Sequence, residues 1–153
     1  MCPTKNHILI NLSSSEKTSF LREDFASQSP PQKVFSAIWE VESEVNNGGF
    51  SQYFLNSSAE SASFVAKALA TVGAPETADI SKRAIDLAFP NGLPPSVEEI
   101  RSAAACFSDD LLAALEPLDQ EFFSYPHDLT SLLFTYVSQN PEEFGLLPEP
   151  DDA

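Results

Sequence analysis

Residues 34–58 read VFSAIWEVESEVNNGGFSQYFLNSS, and this stretch decides the fold. Val34, Ile38, Val41 and Val45 recur at spacings of four, three and four, which puts them on one face of a helix. Asn46, Asn47, Gly48 and Gly49 then predict its end, because Asn and Gly accept the left-handed backbone that closes a helix. An aromatic piece follows in Phe50, Tyr53, Phe54 and Leu55, and Ser57 or Ser58 is placed to cap the next helix.

Working outward, the same helical logic repeats. Phe64, Val65, Ala68, Leu69 and Val72 form an apolar face that stops at Gly73. Pro75 suits the first turn of a further helix carrying Ile80, Ala84, Leu87 and Ala88, which ends before Pro90. Ser96 and Glu99 have capping-box spacing for a helix running to about Phe107. Ser108 heads a segment containing Leu111, Leu112 and Leu115, and Pro117 predicts a kink or interruption before Phe122. Asp128 opens a last helix with Leu129, Leu132, Leu133, Tyr136 and Val137, stopped by Asn140-Pro141. Upstream, Pro30-Pro31 marks a boundary after a loosely attached arm. The arm's His7 to Leu12 is the nearest approach to a strand, and a helical turn or two is expected around Phe20 to Phe25. The expectation is an all-α, single-domain bundle of about six or seven helices over residues 30–145. An arm of residues 1–29 precedes it and an acidic tail of residues 146–153 follows.

Charge limits the partners. The 153 residues carry 23 acidic and 8 basic side chains, for a net charge of -15. Binding nucleic acid or an anionic membrane needs clustered Lys and Arg, so neither is expected. Residues 1–33 hold four basic groups against three acidic ones, a balance of +1 that leaves -16 for the rest. After Arg101 there is no Lys or Arg at all, and eleven acids stand without a counter-charge. Asp109, Asp110, Glu116, Asp119 and Glu121 are the candidate partner-binding group, since carboxylates three or four residues apart on a helix stand about 5–6 Å apart at Cβ. No apolar run reaches the roughly 18 residues of a membrane helix, and Cys2 and Cys106 read as reduced thiols, so a cytoplasmic protein is expected.

Chemistry of other kinds has little to rest on. His7 and His127 stand at no metal-ligand spacing, and there is no phosphate-cradling Gly motif or nucleophile elbow. No catalytic residue, metal or cofactor is assigned. Stepping about 100° per residue from Val34, Glu40 and Glu44 fall on the outer flank, and Glu42 falls at the edge of the apolar stripe. Glu42 there needs a hydrogen bond, with the Asn46 to Phe50 amides and the Tyr53 hydroxyl as the nearest donors.

The run from Ile38 to Ser58, with NNGGF at 46–50, QYF at 52–54 and NSS at 56–58, resembles the signature of the bacterial DNA-mimic protein family. The C-terminal domain of that family was first catalogued as a domain of unknown function. Trp39, Glu42, Asn46, Asn47, Gly48, Gly49, Phe50, Gln52, Tyr53 and Asn56 carry the likeness. It implies an α-helical acidic protein, able to dimerise, that occupies the DNA-binding surface of a basic partner such as a transcriptional repressor. The signature reads as a turn and packing element, separate from the acids that would touch the partner. Two other readings stand beside this one. The first is an acidic inhibitor or immunity-type protein against a basic nuclease or toxin. The second is a small enzyme or ligand-binding domain with a pocket where Glu42, Asn46, Asn47, Gln52, Tyr53 and Asn56 converge.

Overall fold

A computed structural model describes residues 4–13 and 25–152, and every described element is helical. The helices are α1 (Lys5–Ser13), α2 (Pro30–Leu55), α3 (Val65–Thr71), α4 (Pro75–Ala88), α5 (Val97–Ala104), α6 (Asp109–Phe123), α7 (Leu129–Ser138) and the single turn α8 (Pro141–Phe144). Short 3₁₀ turns occupy Phe25–Ser27 and Ser57–Ser61.

Helix α2 is the axis of the molecule. Ser29 caps it reciprocally, its hydroxyl accepting from Gln32 N while its own N–H donates to Gln32 Oε1, with Pro30 in the first turn. Phe35, Ile38, Val41 and Val45 are fully buried, and α3, α5, α6 and α7 pack around them. The aromatic core continues through Phe50 against Phe122 (5.8 Å between ring centres) and Phe54 against Phe89 (5.3 Å). Each such side chain contributes about 1.5–3 kcal/mol on burial. At Gly48 and Gly49 the backbone leaves helical geometry, so α2 is two helical pieces joined at a break where the Asn-Gly signal lies.

Several expectations are corrected. His7 to Leu12 is helix rather than strand: Thr4 caps α1 by accepting from His7 N (3.2 Å), and Ile8, Leu9 and Leu12 are buried in the core, where α1 packs against α7. Within the arm, therefore, residues 5–13 lie on the body. Lys5 N donates to Asp152 Oδ1 (2.8 Å), which ties the acidic tail to α1. The turn expected around Phe20 to Phe25 falls mostly outside the described residues, as does Cys2.

Neither Ser57 nor Ser58 caps a helix, because Ser58 Oγ donates to Tyr53 O (2.9 Å) and a 3₁₀ turn forms instead. Helix α5 ends at Ala104, its last turn tightened by Cys106 N to Ala103 O and Phe107 N to Ala104 O. Pro117 does not interrupt α6, which runs unbroken from the Ser108 cap to Phe123. Its exposed position gives the ring room, and the packing of Leu115, Leu118 and Phe122 outweighs one lost backbone bond.

Candidate functional site

The five candidate acids all lie on α6, and the helix divides them. Counting about 100° per residue from Asp109, the buried Leu115, Leu118 and Phe122 centre near 210°. Asp109, Glu116 and Asp119 then fall on one flank, between about 280° and 360°, together with Leu112 and Phe123. Asp110 and Glu121 fall on the opposite flank, near 100° to 120°. They do not form a single row.

On the second flank Glu121 is already paired. Arg83 of α4 forks onto Glu121, with Nη1 and Nη2 at 3.0 and 2.8 Å from its two oxygens, while Arg83 Nε reaches Asp79 at 2.8 Å. That hydrogen bond holds the Glu121 carboxyl below its ordinary range. Asp109 and Asp110 occupy the first turn of α6, where carboxylates complement the unpaired amides.

The first flank meets the signature turn. Asp119 Oδ1 accepts from Phe50 N (2.8 Å), and burial raises the Asp119 pKa even though that bond lowers it. Gly49 sits at φ 79° and ψ -179°, a region that only glycine occupies readily. A Cβ there would come within 2.9 Å of Asp119 Cγ. Signature and acids are thus in contact, contrary to the separation expected from sequence. A groove of about 280 Å³ lies between the Asn46–Gly49 turn and the Leu112, Glu116 and Phe123 side of α6.

Glu42 bonds neither the Asn46–Phe50 amides nor Tyr53, and it reaches that turn only through Tyr125. It accepts from the Tyr125 hydroxyl (3.0 Å), which in turn accepts from Asn46 Nδ2 (2.6 Å), while burial raises the Glu42 pKa. Tyr125 follows α6 with a left-handed φ of 48°, the only non-glycine residue so placed among those described. The remaining signature polar groups point elsewhere. Gln52 Nε2 and Asn56 Nδ2 both donate to Glu44 Oε2 (2.9 and 2.8 Å), and the Tyr53 hydroxyl bonds Ser61 Oγ (2.7 Å). Trp39 stacks on Phe35 with ring centres 5.6 Å apart. A cleft of about 230 Å³ between α1, α2 and α7 contains Glu42 and Asn46 but none of Asn47, Gln52, Tyr53 or Asn56. The six proposed pocket residues therefore do not converge.

One buried acid was missed. Glu40, assigned to the outer flank, is half-buried beside Glu60 and Ser61, and its Oε2 has no hydrogen-bond partner. Burial, together with the neighbouring Glu60 carboxyl, pushes its pKa up to about 9. The helical wheel could not find this, because the covering element is the 3₁₀ turn at Ser57–Ser61, which sequence reading assigned to a helix start. Arg83 to Glu121, 38 residues apart, carried no local signal either.

Among the described residues, no cluster of His, Cys, Asp and Glu is placed to hold a metal ion, and no helix is long and apolar enough to cross a membrane. Compared with known families, residues 26–140 match the model described as DMP19-like protein. The chain belongs to the DMP19-like family. The matched span takes in the capped start of α2, the signature turn, all of α6 and its contact through Asp119, and it ends with α7. No curated protein and no solved structure gives a match to this DMP19-like chain.

Proposed function

We propose that this DMP19-like protein is an acidic binding protein that occupies the DNA-binding surface of a basic partner, such as a transcriptional regulator, without catalysis of its own. The observation that carries the reading is the composition after Arg101: eleven acids and no Lys or Arg, of which all but Asp119 and Glu143 are exposed. Membership of a DNA-mimic family supports it. A surface of that kind draws a basic partner in by long-range attraction, so association is fast and sensitive to salt. On the first flank of α6, Glu116 carries no ion pair, whereas Glu121 on the second is held by Arg83.

Pull-down from bacterial lysate with the full chain, at low and at high ionic strength, tests this. Retention of a DNA-binding protein at low salt and its release at high salt is the expected result. Retention of a nuclease or toxin instead would favour the inhibitor reading. Retention of no basic protein would remove both.

A further inference from the structure

The first flank of α6 carries an uncovered stripe. Leu112 is 40% and Phe123 39% exposed, both high for large apolar side chains. They stand eleven residues apart, about 16 Å along the helix, with Glu116 between them and Asp109 one turn before Leu112. Positions 109, 112, 116, 119 and 123 are spaced three, four, three and four, the spacing by which one helix seats against another. The Asn46–Gly49 turn walls the stripe on one side, and no Lys, Arg or His lines the groove between them.

The charge selects the occupant. A second copy of this chain, seated on a two-fold axis through the middle of the stripe, would set Glu116 against Glu116 of its twin with no cation in either groove to relieve it, which disfavours the contact. A helix that is apolar on one side and basic on its borders satisfies both features. We infer that the groove between α6 and the Asn46–Gly49 turn docks one amphipathic basic helix of the partner. Leu112 and Phe123 receive its apolar side chains, and Asp109 and Glu116 receive its Lys or Arg. This rests on the proposed function and deepens it. The apolar anchors add a contribution that salt does not screen, so this contact weakens with salt less steeply than a purely electrostatic one.

Two synthetic peptides of equal charge and about four helical turns provide the probe. One carries Lys with Leu at helical i, i+3, i+4 and i+7 positions, and the other replaces each Leu by Ser. The full chain, ¹⁵N-labelled, is titrated with each at about 0.1 M and about 0.5 M NaCl. Expected is at least about ten-fold tighter binding of the Leu peptide, equivalent to about 1.4 kcal/mol. Its amide shifts should centre on Asn46–Gly49 and Leu112–Phe123, and its margin over the Ser peptide should persist at the higher salt although both peptides bind more weakly there. The double variant Leu112→Ser/Phe123→Ser should lose that preference, and Leu146→Ser, at an exposed apolar residue outside the groove, should keep it. Thermal melts confirm that the variants fold, and the shift map of the unmodified chain decides if they do not. Equal binding of the two peptides, or shifts centred elsewhere, would overturn the groove while leaving the acidic-surface reading intact. Binding of neither peptide would count against both. Concentration-dependent shifts of the same residues without peptide would assign the face to a second copy and overturn the proposal.

Discussion

At the scale of single residues, the contact between Gly49 and Asp119 holds the signature turn to α6. The Gly49 backbone lies where a Cβ is disfavoured whatever the space, and that Cβ would also collide with the Asp119 carboxylate. Gly49→Ala should therefore destabilise the protein by about 1–3 kcal/mol in urea unfolding; a change within about 0.5 kcal/mol, the range of ordinary surface substitutions, would contradict this. Asp119→Ala leaves the N–H of buried Phe50 unpaired and should cost about 1–3 kcal/mol. Asp119→Asn keeps an acceptor oxygen and should retain most of the stability; equal losses from the two would show that the bond to Phe50 is not what Asp119 supplies. The need for a turn at residues 46–49 was legible from Asn and Gly alone. Its partner was not, since Asp119 lies 69 residues from Phe50 and only the packing of α6 on α2 brings them together.

At the scale of elements, α6 and α2 each carry a local cost that packing offsets. Pro117 stands in the interior of α6, where the missing N–H leaves one carbonyl of the preceding turn without its bond. Since the ring is exposed, Pro117→Ala should stabilise the protein by about 1–3 kcal/mol in urea unfolding; a loss of stability would mean that α6 needs the proline's geometry. In α2 the cost is Glu40. Glu60, Ser61, Glu44 and Tyr53 surround its carboxyl, and none of them is a cation. With its folded-state pKa raised to about 9 from an ordinary 4.5, Glu40 contributes its full stability below pH 4.5 and loses it progressively as pH rises to 9. Glu40→Gln should accordingly flatten the fall in stability between about pH 5 and pH 8, leaving the variant more stable at the upper end by up to about 4 kcal/mol. Urea unfolding at both pH values checks this, and an unchanged slope would contradict it. Helices α2, α3, α4 and α7 were legible from apolar spacing together with Pro, Gly or Asn at their borders, although α3 lacks the serine cap expected for it. The reading failed where tertiary packing overrode local signals. The buried Ile8, Leu9 and Leu12 make α1 a helix on α7, and core packing carries α6 through Pro117.

At the scale of the whole molecule, the net charge of -15 has two consequences. The first is self-repulsion, which salt relieves. The melting temperature should rise by about 2–5 °C between about 0.02 M and about 0.3 M NaCl, and a flat or falling trend would show that the acids are compensated in place. The second is the function. Charge and signature were both legible in the sequence, but their meeting at Asp119 was not, nor was the division of the α6 acids between a flank paired with Arg83 and a flank beside the signature turn. The most direct measurement is competition. The DNA-binding protein captured by this chain is placed on its own fluorescently labelled DNA, and anisotropy is followed as the full chain is added. Release of the DNA as the chain reaches stoichiometric amounts, with more chain required as salt is raised, is the predicted result. A ternary complex, in which the chain binds while the DNA stays in place, would contradict the claim that the two share one surface.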